Sequence, residues 1–165
     1  GLGDVYKRQE YVRVLGRINN QRSIKWVKSS YLNDTVNFKK YKAFVPGASG
    51  TGAIGENISA PIIGRPFVGT TETFLSIGSF DSINEAENVI KYIKTKFARL
   101  MLGILKVTQA ITPGKFKYVP LQDFTPTSDI DWSKSIAEID QQLYKKYGLT
   151  PDEINFIETH VKEMN

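Results

Sequence analysis

The 165-residue sequence contains no cysteine, which excludes disulfide bonds and thiolate metal sites and is typical of a reducing cytoplasm. Its single histidine, His160, stands beside Lys162 and Glu163, and we interpret it as a solvated side chain. With a single, solvated histidine, the chain is expected to form neither a histidine metal cluster nor a Ser-His-Asp arrangement. No apolar run approaches the roughly 20 residues of a membrane-spanning helix. These absences predict a cytoplasmic protein that is not inserted in a membrane.

Charge is divided unevenly along the chain, although the net charge is only +5. Residues 1–122 contain 18 Lys and Arg against 8 Asp and Glu, whereas residues 123–165 contain 4 against 9. A basic body of this kind can meet a polyanion, and an acidic tail would be kept away from it. Ordinary solvated surface is the alternative explanation of the same pattern.

A long amphipathic helix, the spine helix, is the strongest structural signal and runs from Ser82 to Lys106. Ser82 followed by Glu85 is a capping-box pattern, so the helix is predicted to begin at Ile83. Apolar residues then recur in steps of three and four, which places them on one face. At about 1.5 Å per residue, one helix of this length would cross a small domain.

The opposite face of the spine helix is basic. Lys91, Thr95 and Arg99 recur at intervals of four, and Lys94 and Lys96 flank the apolar face. The last turns are apolar nearly all round. Only the first half of the helix is therefore expected to face a partner.

Aromatic and basic residues are interleaved near the start of the chain. Alternation predicts strands at 11–14 and 24–27. Such mixtures can grip phosphates and stack on bases; the alternative is that the aromatics are core and the lysines surface. The residues concerned are Trp26, Tyr31, Phe38 and Tyr41, with Arg17, Arg22, Lys25, Lys28, Lys39, Lys40 and Lys42.

Glycines dominate the loop from Ser49 to Glu56. Gly50, Gly52 and Gly55 match the dinucleotide pattern G-x-G-x-x-G, but prolines come soon afterwards, so we do not expect a helix to begin there and meet a pyrophosphate. The backbone amides of such a loop can approach a phosphate or a groove closely. A hairpin connection without a ligand is the alternative.

The order of elements predicts an α+β fold with a small mixed β-sheet, one long spine helix and a C-terminal α-helical hairpin. A strand at 71–77 leads into the spine helix, and a second strand is expected at 115–119. Residues 1–9 fit poorly with the rest of the chain, and we expect a non-native leader on the C-terminal part of a larger protein. The predicted division is a leader at 1–9, a recognition domain at 10–122 and an acidic helical extension at 123–165.

The extension carries clear helix signals. Asp131 or Ser133 is expected to cap its first helix. Thr150, Pro151 and Glu153 form a complete start for the second, with a cap residue, a proline at the first position and a glutamate at the third. We expect this hairpin to pack against the body or a neighbouring domain.

The sequence offers no recognisable catalytic site. Asp129 and Asp131 are paired acids, but their setting indicates turn and cap residues without a third ligand. Glu56, Glu72 and Asp81 are too scattered to indicate a metal-dependent nuclease. No Gly-Lys-Ser/Thr comes after the glycines to make a phosphate-binding Walker loop. The sequence therefore favours a binding module with no cofactor or metal of its own.

Six blocks in consistent order, between Lys42 and Met164, carry a resemblance to a known family: GASGTGAIGE, TETFLSIGSF, EAENVIKYIKTKFARLMLGILKVTQ, KYVPLQDF, SDIDWSKSIAEIDQQLYKKYGL and EINFIETHVKEM. They resemble the C-terminal region of bacterial restriction-modification proteins that fuse an adenine-specific DNA methyltransferase to a target-recognition domain. The resemblance implies that the parent protein binds a defined double-stranded DNA sequence and methylates a flipped adenine from S-adenosylmethionine. A restriction endonuclease could accompany it.

The methyltransferase's Asn/Asp-Pro-Pro-Tyr motif and glycine-rich cofactor motif are absent from this chain. The resemblance therefore implies that catalysis belongs to an upstream methyltransferase domain and that this part supplies recognition. In that role Lys91, Lys94, Arg99, Lys115 and Lys117 are candidates for phosphate contacts, which position DNA without reading its sequence.

In the same recognition role, other residues are candidates for contact with the DNA bases. Arg65 is the candidate for direct readout, because arginine can pair bidentately with guanine. Ser49, Gly50 and Gly52 of the glycine loop are candidates for close approach to DNA. The alternative is a protein-interaction module that docks subunits of a restriction-modification complex through the basic helix face. A nuclease domain is the third possibility.

Overall fold

The chain is an α+β protein, as predicted. The computed structural model describes residues 10–32, 36–47, 57–104, 114 and 119–164. Its strands are β1 Tyr11–Ile18, β2 Gln21–Lys28, β3 Tyr41–Pro46, β4 Ile62–Gly64, β5 Val68–Thr70 and β6 Phe74–Phe80. Its helices are α1 Ile83–Lys94, α2 Lys96–Ile104, α3 Ile136–Lys146 and α4 Pro151–His160, with a 3-10 turn at Ser29–Tyr31.

The first sheet has the strand order β2-β1-β5 and is mixed. β1 and β2 form an antiparallel hairpin in register from Tyr11 opposite Lys28 to Ile18 opposite Gln21. Asn19 and Asn20 make its two-residue turn, with φ of 49° and 63°. Asparagine tolerates this left-handed conformation, which suits the twist of a tight hairpin. β5 runs parallel to β1, so β2 is an outer strand of this sheet.

The second sheet has the order β4-β3-β6 and lies between the first sheet and the helices. Alternation along β3 explains this position, because successive side chains point to opposite faces. Phe44 joins Leu15, Val68 and Phe74 in a small core between the two sheets. Ala43 and Val45, on the other face, belong to the main core with the helices.

The spine helix is not continuous: α1 ends at Lys94 and α2 begins at Lys96. Ser82 caps α1 by accepting a hydrogen bond from the backbone of Glu85, as predicted. Thr95 has an extended ψ of 150°, which interrupts the helix. The expectation of one unbroken helix is therefore corrected to two consecutive helices.

The C-terminal helical hairpin is present and packs on α1 and α2. Ile139, Leu143 and Ile157 belong to the same main core as α1 and α2, so residues on both sides of the predicted boundary at 122 share one core. α4 begins at Thr150 with the predicted capping box. α3 is capped by Ser135 with Glu138, which corrects the expected cap at Asp131 or Ser133.

Three predictions fall outside the described residues. These are the leader at 1–9, the glycine loop from Ser49 to Glu56 and most of the strand expected at 115–119. Among the helices that the structure describes, none has the length and apolar character needed to span a membrane.

Candidate nucleic-acid interface

The basic face of the spine helix is turned toward the described part of the acidic extension, residues 123–164, which we call the C-terminal segment. Lys91 is half-buried, and its Nζ donates to the backbone oxygens of Trp132 at 2.6 Å and Lys134 at 3.3 Å. Lys96 forms an ion pair with Glu158 of α4. The expectation of an open basic face is therefore wrong, because the C-terminal segment occupies it.

Arg99 is buried, with 3% of its surface exposed. Its Nε donates to the backbone oxygen of Lys94 at 3.0 Å, and one terminal nitrogen donates to Oδ1 of Asn57 at 3.1 Å. The other terminal nitrogen donates to the backbone oxygen of Lys162. Burial lowers the pKa of the guanidinium, and nearby Asp140 opposes that shift. Arg99 thus ties the helix junction to the C-terminal tail, which corrects its expected place on an outer face.

Asp140 of α3 completes the start of α2. Its two carboxylate oxygens each accept a backbone hydrogen bond at 2.9 Å, from Lys96 and from Phe97. Burial raises the pKa of this carboxyl to about 6, while the two backbone donors and Arg99 act in the opposite direction. Glu158 adds to the upward shift. An acid on α3 and a helix N-terminus are therefore joined inside the protein.

An exposed basic and aromatic surface lies instead on the β1–β2 hairpin. The antiparallel register places alternate residues of each strand on one side of the ribbon. We call this side the hairpin face; it carries Tyr11, Arg13, Arg17, Arg22, Ile24, Trp26 and Lys28. Arg17 is half-buried, and the other six are exposed.

The hairpin face is open because the second sheet covers only part of it. Leu15 shares this side and is buried in the small core between the sheets. Ile24 lies directly opposite Leu15 but on the outer strand, and it is 53% exposed. Trp26 lies opposite Arg13 and is 64% exposed. The apolar part of this face is thus solvent-accessible beside cationic side chains.

Two arginines hold the turn end of the hairpin face in place. The guanidinium groups of Arg17 and Arg22 lie over the ring of Phe74, at 5.8 Å and 5.9 Å from its centroid. A terminal nitrogen of Arg17 donates to Oδ1 of Asn20 at 3.0 Å, and Arg22 donates to the backbone oxygen of Ala60. These contacts restrict the rotamers of both arginines.

At the opposite end, Lys28 lies 3.7 Å from the carboxylate of Glu10, and both side chains are largely exposed. An exposed ion pair of this kind contributes little and is easily exchanged for another anion. Lys25 is also exposed, on the other side of β2. The outer strand therefore carries positive charge on both sides.

The sequence-predicted site residues are spread over different parts of the fold. Arg65 is exposed in the turn before β5, near the start of β1, because β5 and β1 run parallel with Val68 opposite Arg13. Lys94 is half-buried beside the α1–α2 junction. Ser49, Gly50, Gly52, Lys115 and Lys117 lie outside the described residues.

Lys42, which the sequence grouped with the basic and aromatic residues, is 1% exposed. Its Nζ donates to the backbone oxygens of Asn37 at 3.0 Å and Phe38 at 3.1 Å. It also lies near the rings of Phe38 and Phe44. Burial lowers the pKa of this amine to about 8. Lys42 is therefore a buried structural residue and not part of the hairpin face.

The sequence had grouped Trp26 and Lys28 with the interleaved aromatic and basic residues, but it had not included Arg13, although the signal was present. Alternation over residues 11–14 predicted a strand, and extending it across the Asn19–Asn20 turn places these three side chains together. Sequence periodicity does not reveal which side of a strand stays uncovered, so exposure had to come from the structure.

No three His, Asp or Glu side chains within the described part of the chain come together in a way that could hold a metal ion. Comparison of the chain with protein-family models, curated proteins and solved structures gave no match.

Proposed function

We propose that this chain is the sequence-specific DNA recognition module of a restriction-modification enzyme and that the hairpin face contacts the duplex. The observation that supports this most strongly is the grouping of Arg13, Arg22, Trp26 and Lys28 on the exposed side of an outer β-hairpin. Cationic side chains release counterions from the phosphate backbone, which drives DNA binding. In this proposal the β1–β2 hairpin, and not the spine helix, contacts DNA.

The shape of the hairpin suits a DNA groove. The major groove of B-DNA is about 12 Å wide and admits a two-stranded β-ribbon. β2 has no neighbour in the described sheet other than β1, so the ribbon edge is accessible. Arg13, Lys25 and Lys28 are suited to phosphates, whereas Arg22, which is held near the turn by Ala60 and Phe74, is suited to a guanine edge. Arg65, exposed near the start of β1, extends this surface as a further candidate for base readout.

The parent protein would supply the chemistry. In this proposal an upstream domain of the same cytoplasmic protein binds S-adenosylmethionine and methylates the flipped adenine, while this chain positions the duplex. The proposal rests on the family resemblance of the sequence blocks for the reaction and on the hairpin face for DNA contact.

A pair of charge-removal variants tests the proposal. Arg13→Gln with Lys28→Gln removes two positive charges from the hairpin face, and Lys145→Gln with Lys162→Gln removes two from exposed positions on the C-terminal segment. We expect the first variant to bind random duplex DNA about tenfold or more weakly in fluorescence anisotropy, because two phosphate or base contacts are lost. The second should bind like the native chain. Equal weakening by both variants would refute a localised interface.

A protein-interaction module is the second candidate, and the exposed side chains of Tyr11, Ile24 and Trp26 favour it. Aromatic residues are enriched at protein interfaces. In that case the hairpin face would dock on the neighbouring methyltransferase domain. Binding to that domain that is abolished by Ile24→Gln, with no binding to DNA at low salt, would support this candidate over the first.

A further inference from the structure

Trp26 occupies an unusual position for a tryptophan. It lies in the outer strand β2 with 64% of its surface exposed. The other tryptophan, Trp132, is 5% exposed, and its indole N–H donates to the backbone oxygen of Asp123 at 2.8 Å. Trp132 therefore serves the core. The indole of Trp26 is available for a ligand.

The neighbours of Trp26 define what that ligand is. Arg13 lies directly opposite, and Ile24 and Lys28 lie two residues away on the same side of β2. Tyr11, opposite Lys28, is the diagonal neighbour. Aromatic rings flanked by cations are typical of sites where a base stacks and the adjoining phosphates are neutralised.

Duplex DNA cannot offer a base face to an indole, because each base is already stacked on its neighbours. We propose that Trp26 is a stacking platform for an unpaired DNA base, with Arg13 and Lys28 on the adjoining phosphates. This inference rests on the proposed DNA-binding function and specifies the form of DNA that the hairpin face prefers. An unpaired base is one that is bulged, mismatched or extruded from the helix.

The charge around Trp26 favours nucleic acid over an apolar protein partner. Arg13, Arg22 and Lys28 lie on the same side of the ribbon as Trp26. Burying them against an apolar protein surface would carry a large desolvation penalty. A polyanion instead supplies a phosphate for each cation while its base covers the indole.

The test compares two DNA duplexes that differ in one unpaired base. The full chain is titrated into a fully paired duplex and into the same duplex with a single-base bulge. We expect the native chain to bind the bulged duplex about tenfold more tightly, because stacking on an aromatic side chain adds to the phosphate contacts. Trp26→Ala should remove this preference, so that the variant binds the bulged and the paired duplex with equal affinity.

Trp26→Phe and tryptophan fluorescence provide two further checks on stacking. Trp26→Phe should retain most of the preference, since phenylalanine also stacks. Stacking should also quench tryptophan fluorescence in the native chain, and this quenching should disappear in Trp26→Phe because Trp132 stays buried. Equal affinity of the native chain for both duplexes would overturn the stacking role and leave the proposed DNA binding intact. Failure to bind either duplex at low salt would overturn both.

Discussion

Asp140 shows how one side chain joins two distant parts of the sequence. Its carboxylate accepts hydrogen bonds from the backbone of Lys96 and Phe97, which lie 44 and 43 residues away along the chain. The backbone donors satisfy both oxygens, but burial still raises the pKa to about 6. Ionisation of Asp140 therefore costs more free energy in the folded protein than in the unfolded chain, and the contribution of this carboxyl to stability depends on pH.

That cost predicts a pH-dependent contribution to stability. Because the folded-state pKa of Asp140 lies above its ordinary value, the folded protein binds more protons at this site than the unfolded chain does. The stability that the carboxyl provides is greatest below about pH 4 and declines as pH rises to about 6. We expect the difference in unfolding free energy between the native chain and Asp140→Asn to fall over this window by up to about 3 kcal/mol.

Urea unfolding of both proteins at a series of pH values measures this difference. Other carboxyl groups titrate in both proteins, so subtraction removes most of their contribution. The amide introduced by Asp140→Asn offers one acceptor oxygen where the carboxylate has two, so the variant's absolute stability also changes, and the pH dependence is the relevant readout. A difference that stays flat, or that rises with pH, would contradict the buried position of this carboxyl.

Arg99 is expected to act on stability. Arg99→Ala removes the donors to backbone and side-chain oxygens around the α1–α2 junction and should lower the unfolding free energy by about 3 kcal/mol. Arg65→Ala, at an exposed arginine, is the matched control and should change it by less than about 0.5 kcal/mol. Thermal unfolding followed by circular dichroism compares them. Equal stability of the two variants would contradict the inward placement of Arg99.

Lys91 and Arg99 show what the spacing of residues within one helix does not reveal. Spacing predicted that they share a side of one unbroken helix, whereas they lie on two consecutive helices and both contact the C-terminal segment. It could not show that the C-terminal segment would cover that side, because the pattern within one helix carries no information on what packs against it. Arg99 was therefore assigned to a surface although it is buried.

At the scale of elements, Thr95 explains why one predicted helix is two. Its Oγ1 accepts from the backbone of Ala98 at 3.1 Å and donates to the backbone oxygen of Tyr92 at 2.6 Å. With Asp140 bound to the two preceding N–H groups, the side chains of two residues satisfy the first three backbone donors of α2. The start of α2 is thus a true helix N-terminus.

Removing the Thr95 hydroxyl should destabilise the helix junction. Thr95→Ala is expected to cost about 1–2 kcal/mol of unfolding free energy, as for other lost N-caps. Thr95→Ser keeps the hydroxyl and should retain most of that stability, apart from the lost methyl group. Chemical denaturation of both variants gives the comparison. If Thr95→Ala were as stable as the native chain, the break would not depend on this cap.

Two of the helix starts with a local capping signal were predicted from the sequence, whereas the equally local signal of Ser135 with Glu138 was missed in favour of Asp131 or Ser133. The caps at Ser82 and Thr150 each combine a hydroxyl with a glutamate three residues later, and both were found from the sequence. α2 lacks such a glutamate, since Ala98 stands at that position and the second acceptor comes from Asp140 on α3. The start of α2 was missed because one of its two capping side chains, Asp140, comes from a part of the sequence more than 40 residues away.

At the scale of the whole molecule, the layers decide which basic residues are accessible. The first sheet packs on the second, the second sheet on α1, and both α1 and α2 on the C-terminal helical hairpin. α1 is therefore enclosed between two layers. The β1–β2 hairpin lies at the outside, where β2 extends past the cover of the second sheet.

The fold class and the C-terminal hairpin could be predicted from periodicity and caps, because those signals are short-range. The accessible surface could not, because it depends on how the layers stack. Charge counting indicated a basic body and an acidic tail. In the structure the acidic tail packs onto the basic helices, and exposed positive charge remains on the β1–β2 hairpin.

A salt titration of duplex DNA binding by fluorescence anisotropy, for the native chain and for Arg13→Gln with Lys28→Gln, tests whether the hairpin face binds DNA. We predict that the native affinity falls steeply with log salt and that the slope of the variant is shallower by about 2, because each lost cation releases about one fewer counterion. Identical slopes, or an affinity of the native chain that does not depend on salt, would contradict the assignment of the hairpin face to DNA.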